Sequence, residues 1–445
     1  MFAVLVACTD PVVLDDSAPG DDSVVDSAPE EPDWAPFSAL PDWESQESGV
    51  ATGMDFADMD GDGDQDLVVA YGNDIQRGPI MVYENLGGEL SESAAWTTSA
   101  DHYYGHIAVG DIDGDGAPDV VASRFLGDEG WDEPGGVQAW RNTGEGLELQ
   151  WEDSGFYSFS CALGDLDLDG DLDLAVAAGE PYRHDPELSR VYTNDGTGSF
   201  TATWTTESSR WSFDVGWFDA DADGDLDLVF ANEATPHTIY LSEGGVLEES
   251  PAWEAAGDGF EGNSLDWGDV NGDGAVDLVI SDNDQRGGSG TINLYCGPDF
   301  GRCWTSQDEA RYQSAVSLED IDQDGMIDLA AGAWGIGSTY GDPVRLYRNS
   351  SGSLDTNPTW ISEGVGVIEA FAWADLDRSH EVVEIVSGTG LVEVDGPVIS
   401  VVGGVAGDGY ISGEGAVEAE VLAPAPRDLA VSHWDKGIGN HVYRR

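Results

Sequence analysis

The sequence predicts an all-β fold: a β-propeller of seven blades, each of four antiparallel strands, with eight blades and an incomplete last one as the alternative. Three observations carry this reading. An aspartate-rich nonapeptide recurs six times with first aspartates at 58, 111, 165, 219, 269 and 320, and a seventh, broken copy starts at Asp375, so the spacing is 50 to 55 residues. A tryptophan stands 14 to 16 residues ahead of each copy, at Trp43, Trp96, Trp151, Trp204, Trp253, Trp304 and Trp360. Short apolar runs bounded by Gly, Asn and Asp fill each repeat as strands do, and no segment sustains the 3.6-residue apolar period of a long helix.

Before the repeats, residues 1–8 form a short apolar leader and residues 9–33 an acidic, Ser/Pro-rich stretch that repeats DSAP and has too little apolar surface to order itself. Residues 34–445 are assigned to the propeller. Within each repeat the nonapeptide is followed by an apolar strand, such as LVVA from Leu67 or LVIS from Leu278. An aromatic strand comes next, such as MVYEN (Met81 to Asn85), RVYTN (Arg190 to Asn194) or RLYRN (Arg345 to Asn349), and then a Gly-rich turn leads to the next tryptophan. A strand around Trp43 is expected to complete the last blade, and RDLAVSHWD (Arg427 to Asp435) reads as the start of an eighth inner strand.

The nonapeptide itself has the pattern Asp-x-Asp/Asn-x-Asp-Gly-x-x-Asp. Side-chain oxygens at positions 1, 3, 5 and 9 come from Asp58, Asp60, Asp62 and Asp66 in the first copy and from Asp111, Asp113, Asp115 and Asp119 in the second. They come from Asp165, Asp167, Asp169 and Asp173 in the third, and from Asp219, Asp221, Asp223 and Asp227 in the fourth. Asp269, Asn271, Asp273 and Asp277 supply the fifth, and Asp320, Asp322, Asp324 and Asp328 the sixth. Like charges packed this closely repel, and a hard cation with oxygen ligands relieves them. A glycine at position 6 and a backbone carbonyl at position 7 complete the pattern expected of a Ca²⁺ loop, so about six Ca²⁺ sites are expected. The seventh copy has Ser379 at position 5 and His380 in place of the glycine, and no metal is expected there.

These repeats resemble the FG-GAP/VCBS family, best known from the propeller heads of integrin alpha subunits. The resemblance spans about residues 34 to 390 and is strongest in stretches such as VGDIDGDGAPDVVAS (Val109 to Ser123). It implies that each loop joins the innermost strand of a blade to the second, which gathers the metals on one face. An aromatic recurs eight or nine residues ahead of the loops, at Tyr103, Tyr157, Trp211, Phe260 and Tyr312, where the family carries the Phe of its FG motif. These side chains either pack between blades or, as similar rim aromatics do in integrins, hold a cationic side chain of a partner or stack on a sugar.

Composition limits the partners. With 88 acidic and 16 basic residues the formal charge is −72, which argues against nucleic acid and anionic membrane surfaces. Cys296 and Cys303 flank the turn of LYCGPDFGRCW and are expected to form a cross-strand disulfide in an oxidising compartment, whereas Cys161 reads as a buried small hydrophobe. Cys8 ends the run LVAC, which resembles the lipobox of bacterial lipoproteins and implies lipidation; the leader is short and lacks Lys or Arg, so a truncated signal peptide is the other reading. Membrane contact is expected only through such a lipid.

No HExxH, GxSxG or phosphate-binding glycine loop is present, and His102 and His106 lie close together on what reads as one connecting loop. Three loops, Arg124 to Gly136, Gly179 to Ser189 and Gly332 to Pro343, present aromatic and polar residues on the face opposite the metal loops. The functional expectation is an extracellular or envelope-located calcium-binding propeller, possessing no enzyme activity, that serves as a surface adhesion or protein-interaction module. A calcium-dependent lectin is the first alternative and a polysaccharide hydrolase or lyase the second.

Overall fold

The computed structural model describes residue 37 and residues 41–47, 49–257, 259–337, 339–374, 376, 384–387, 428–431 and 441–444. The leader with Cys8, the tether, and most of the seventh loop lie outside these residues. Residues 36–445 form one compact unit.

Six four-stranded antiparallel sheets follow one another along the chain, and in each the strands pair in sequence order from the innermost outward. In blade 1 they are Ala51–Ala57, Asp66–Gly72, Arg77–Tyr83 and Trp96–Thr97. The innermost strands of blades 2 to 6 are Tyr103–Gly110, Ser158–Gly164, Trp211–Phe218, Gly262–Gly268 and Gln313–Glu319. Each neighbours the next, and Phe371–Ala374 closes the ring by neighbouring both Gln313–Glu319 and Ala51–Ala57. The seventh place is held by a five-stranded sheet of Phe371–Ala374, Glu384–Ser387, Asp428–Val431, His441–Arg444 and Trp43–Glu44.

This differs from seven identical blades: six are regular four-stranded sheets and the seventh is irregular. Asp428–Val431 does not begin an eighth blade. It pairs with Phe371–Ala374, in register Phe371 with Val431, and so belongs to the seventh sheet. The expected closure by the N-terminal strand is present, with Trp43 opposite Val442 and Glu44 opposite His441.

The periodic tryptophans sit on outer strands, and five of the seven pack edge-on against a tyrosine on the third strand of the following blade. Ring centroids are 5.6 Å apart for Trp43–Tyr83, 5.3 Å for Trp151–Tyr192, 5.0 Å for Trp204–Tyr240, 5.4 Å for Trp253–Tyr295 and 5.9 Å for Trp304–Tyr347. Edge-to-face geometry matches the positive ring edge to the negative face of its neighbour. Apolar clusters of buried side chains accordingly span blade pairs, as where Val215 and Trp217 of blade 4 pack on Ala175 and Val191 of blade 3. Trp204→Ala removes both the burial and the ring pair, and is expected to cost about 3 kcal/mol in a denaturant titration.

Buried aspartates stitch the inner ring. Asp55 accepts from its own neighbour Phe56 N at 2.9 Å and from Val109 N of blade 2 at 3.2 Å. Asp266 repeats this with Trp267 N at 2.8 Å and Leu318 N of blade 6 at 2.7 Å. Asp214 does so with Val215 N at 3.0 Å and Leu265 N of blade 5 at 3.0 Å. A buried carboxylate is costly unless its oxygens are bonded, and here the bonds cross the blade seams.

Candidate metal loops and the opposite face

All six intact loops share one backbone conformation. Position 6 has positive φ, between 88° and 98° (Gly63, Gly116, Gly170, Gly224, Gly274 and Gly325), which glycine adopts without steric cost. In every loop this glycine N–H donates to the position 1 carboxylate, at 3.0 Å to Asp58, 2.9 Å to Asp111, 3.1 Å to Asp165, 3.1 Å to Asp219, 2.9 Å to Asp269 and 2.9 Å to Asp320. Position 4 is left-handed too: Gly61, Gly114 and Gly272 stand there in three loops, but Leu168, Ala222 and Gln323 in the others, at φ 59°, 62° and 60°. Leu168 is exposed, so Leu168→Gly relieves the steric cost and gives up little packing. A gain of about 0.5–1 kcal/mol is expected, seen as a raised denaturant midpoint at unchanged slope.

The carboxylates converge. In five loops three aspartates each place an oxygen within 4.8 Å of the other two: Asp58, Asp60 and Asp62; Asp111, Asp113 and Asp115; Asp165, Asp167 and Asp169; Asp219, Asp221 and Asp227; Asp320, Asp322 and Asp328. In the fifth loop Asn271 replaces one carboxylate, donating through Nδ2 to Asp277 Oδ1 at 3.2 Å, and no such triple forms there among the described residues. The Oδ1 atoms of Asp58, Asp165 and Asp320 are buried with no hydrogen-bond partner among the described residues. Anionic oxygens buried without a partner are what a hard cation satisfies, and the donor set is all oxygen. The residues therefore fit a metal ion.

Position 9 serves a second purpose. Its Oδ2 accepts the N–H of position 2, as in Met59 N to Asp66 at 2.9 Å and Ala220 N to Asp227 at 2.8 Å. Its Oδ1 accepts the N–H at the end of the third strand: Asn85 to Asp66 at 2.9 Å, Asn142 to Asp119 at 2.7 Å, Asn194 to Asp173 at 2.9 Å, Ser242 to Asp227 at 2.7 Å and Asn349 to Asp328 at 2.6 Å. Where that residue is asparagine, its Nδ2 donates onward to the position 2 carbonyl of the preceding loop. These bonds run from Asn142 to Met59 at 2.8 Å, Asn194 to Ile112 at 2.8 Å, Asn349 to Val270 at 2.6 Å and Asn85 to Leu376 at 3.0 Å. The last bond joins residues 291 apart in sequence and latches the ring shut.

Blade 5 has Gly297 in the latch position, where a Cβ would collide with the Val276 carbonyl, and here the disulfide Cys296–Cys303 staples the hairpin instead. Cys161 is buried, as expected, and burial pushes its thiol up to about 12.

Burial raises the position 9 carboxyls, to about 7 for Asp66 and Asp119, about 6 for Asp173 and Asp227 and about 8 for Asp328; backbone N–H bonds oppose the shift and neighbouring loop carboxylates add to it.

On the opposite face the inner strands begin. Tyr103 and Trp211 are first residues of inner strands, and Tyr157, Phe260 and Tyr312 stand one or two residues before theirs. They do not share one environment. Phe260 is packed between blades 4 and 5, 5.1 Å from the His237 ring. Tyr157, Phe125, Phe159, Phe213 and Trp334 form an apolar cluster across the axis, against which Tyr103, Trp131 and Tyr312 pack. Arginines of the chain itself cover several rings: Arg77 over Tyr103 at 5.8 Å, Arg183 over Trp131 at 5.4 Å and Arg286 over Tyr182 at 5.5 Å. Trp131, Tyr182 and Arg286 belong to the rim as much as the five aromatics do, but they sit outside the repeated position and no periodic signal marks them.

Two local expectations change. Residues 124–136 are largely an extended hairpin, Leu126 opposite Pro134 and Gly127 opposite Gly130, rather than a loop. His102 and His106 are not on one connecting loop. His106 lies within Tyr103–Gly110 with its Nδ1 3.6 Å from Asp214 Oδ1, while His102 Nδ1 is 3.5 Å from Asp128 Oδ1.

Buried Glu369 accepts from Trp334 Nε1, and burial pushes its carboxyl from the ordinary 4.5 up to about 8. The folded chain thus holds this proton more tightly than the unfolded chain. The stability it contributes is present in full below pH 4.5 and is lost as pH rises to about 8. Glu369→Gln keeps an acceptor and removes the titration, so its melting temperature is expected to fall less than the parent's between pH 5 and 8.

A family model described as "FG-GAP-like repeat" matches residues 58–122, 165–230 and 219–280. The chain carries FG-GAP-like repeats within a β-propeller. The three FG-GAP-like matches cover loops 1 to 5 and the strands around them, and loop 6 repeats the same geometry. No curated protein matches by sequence. Among solved structures, the chain is similar to BBS1N in complex with ARL6DN, soaked with mercury, at 11% identity and TM-score 0.50, covering 76% of this chain and 91% of that one. A lead-soaked crystal of the same complex gives TM-score 0.46 at 11% identity and the same coverage. Chaetomium thermophilum Raptor gives 0.47 at 12% identity, covering 72% of this chain and 26% of that one. At such identity the likeness concerns the fold alone.

Proposed function

We propose that the FG-GAP-like loops are Ca²⁺ sites that lock adjacent blades together, and that the resulting rigid disc is an interaction module working outside the cell or in its envelope. The observation that carries the calcium reading is the set of buried, unpartnered position 1 oxygens in loops built only from oxygen donors. Positions 1, 3, 5 and 9 and the carbonyl of position 7 would hold the ion, and bound Ca²⁺ would supply charge neutralisation rather than chemistry. Extracellular calcium modules bind in the range of about 0.1 to 1 mM, which suits a compartment that also favours the Cys296–Cys303 disulfide.

The interaction reading rests on the opposite face, where Trp131, Tyr182 and exposed Tyr340 stand on connections that differ from blade to blade. Recognition residues concentrate on loops held by a rigid scaffold. Rim arginines give this face positive groups within a strongly acidic molecule, which favours a protein partner with mixed charge over a sugar. The structural neighbour crystallised with a protein partner accords with this. The test is a glycan array and an envelope-protein capture run side by side with the full chain in calcium. Capture lost in Trp131→Ala/Tyr182→Ala, with a blank array, supports the reading; defined sugar binding replaces it with a lectin.

A further inference from the structure

The six loops are not electrostatically equal. The residue just before the latch position is Glu84, Arg141, Thr193, Leu241, Cys296 and Arg348 in blades 1 to 6. In blades 2 and 6 this arginine reaches back into the metal loop of its own blade. Arg141 Nε lies 2.7 Å from Asp113 Oδ2 and its Nη2 2.5 Å from Asp115 Oδ2. Arg348 Nη2 lies 2.5 Å from Asp322 Oδ2 and 3.3 Å from Asp324 Oδ2. In both loops the guanidinium therefore bridges positions 3 and 5, two of the side chains expected on the ion. The corresponding aspartates of loops 1, 3 and 4 make no ion pair with a basic side chain among the described residues.

We infer that Arg141 and Arg348 are tethered counter-cations that compete with the metal ion, dividing the loops into tight sites without an arginine and weak sites, loops 2 and 6, with one. This rests on the calcium reading above. The third strand, or the residue directly after it in blade 6, holds each arginine next to its loop, so a metal ion must displace it from both carboxylates or share them with it. Ion pairs this exposed are screened by solvent, so the penalty on affinity is about severalfold. In return, these two loops keep part of their charge compensated at low calcium, when the other loops repel themselves open. Both arginines are partly solvent-exposed, so they can swing out without disturbing the core.

The test is a calcium titration of the full chain by calorimetry, comparing the parent with Arg141→Gln/Arg348→Gln. The parent is expected to show two weaker sites that tighten severalfold in the variant, while the sites of the other loops stay unchanged. In chelator the variant melts below the parent, yet calcium raises its melting temperature by more; this opposite movement distinguishes competition from a general loss of stability. Arg141→Lys/Arg348→Lys, which keeps the charge but loses the two-pronged contact, falls between the two. Superimposable isotherms for parent and variant overturn the inference and leave the calcium reading standing. No calcium uptake by either protein overturns both.

Discussion

Moving the full chain from millimolar calcium into excess chelator lowers its melting temperature by about 10 °C or more. At tenfold saturation each site contributes about 1.4 kcal/mol, so six such loops contribute about 8 kcal/mol, comparable with the whole stability of an ordinary domain. For a chain of this size each kcal/mol moves the midpoint by somewhat over 1 °C. The effect has a structural route. Each loop connects the inner two strands of a blade, and its position 2 carbonyl is the acceptor for the next blade's asparagine in four of the seams. A loop opened by charge repulsion therefore weakens a seam as well as a turn. Magnesium at the same concentration is expected to substitute poorly, because it requires a smaller octahedral shell and gives up its waters reluctantly. A melting curve that is unchanged by chelator would remove calcium as the staple.

Asn349→Ala lowers stability by about 3 kcal/mol, as measured by denaturant unfolding. Asn349 is fully buried; its Nδ2 bonds Val270 O at 2.6 Å and Ile327 O at 3.0 Å, and its Oδ1 accepts Ser353 N at 2.8 Å. Truncation leaves two buried carbonyls and one N–H short of a partner, each costing about 1 kcal/mol or more. Asn349→Asp costs at least as much: it loses the two donated bonds and sets a second carboxylate beside Asp328. The same change at Ser242, whose hydroxyl has no partner among the described residues, is expected to be mild. Comparing Asn349→Ala with Ser242→Ala separates the seam latch from the general cost of altering a third strand.

Much of this was legible in the sequence because the signals repeat. The Asp-x-Asp-x-Asp-Gly pattern fixes a turn geometry that each copy adopts independently, and the tryptophan period reports a packing position that recurs at every seam. The aromatic strands ending in Asn were visible as strands, but the latch was not. It joins an asparagine to a carbonyl in the preceding repeat, and backbone carbonyls carry no sequence signature. Arg345 shows the same limit. RLYRN is legible only as an aromatic strand, yet its Arg345 is fully buried, bonded to Asp342 at 3.0 Å, Asp308 at 3.1 Å, Tyr347 Oη at 2.9 Å and Gln313 at 2.7 Å. Asp342 and Tyr347 are close by in the chain, but Asp308 and Gln313 lie 37 and 32 residues away. The irregular seventh sheet was half legible: Trp43 announced the closing strand, while the pairing of Asp428–Val431 inside the same sheet broke the repeat from which an eighth blade had been counted. On the opposite face, Trp131 and Tyr182 lie in non-repeating connections, where periodicity offers nothing.

The central claim is that these aspartate loops are metal sites, and counting ions tests it most directly. Equilibrium dialysis of the full chain against radioactive calcium at about 5 mM, with sodium chloride present to suppress diffuse binding to the acidic surface, measures ions retained per chain. The account predicts about six, falling by one in Asp165→Ala and by one more when Asp58→Ala is added. Retention of none, or a diffuse uptake that vanishes with salt and ignores both substitutions, would contradict it.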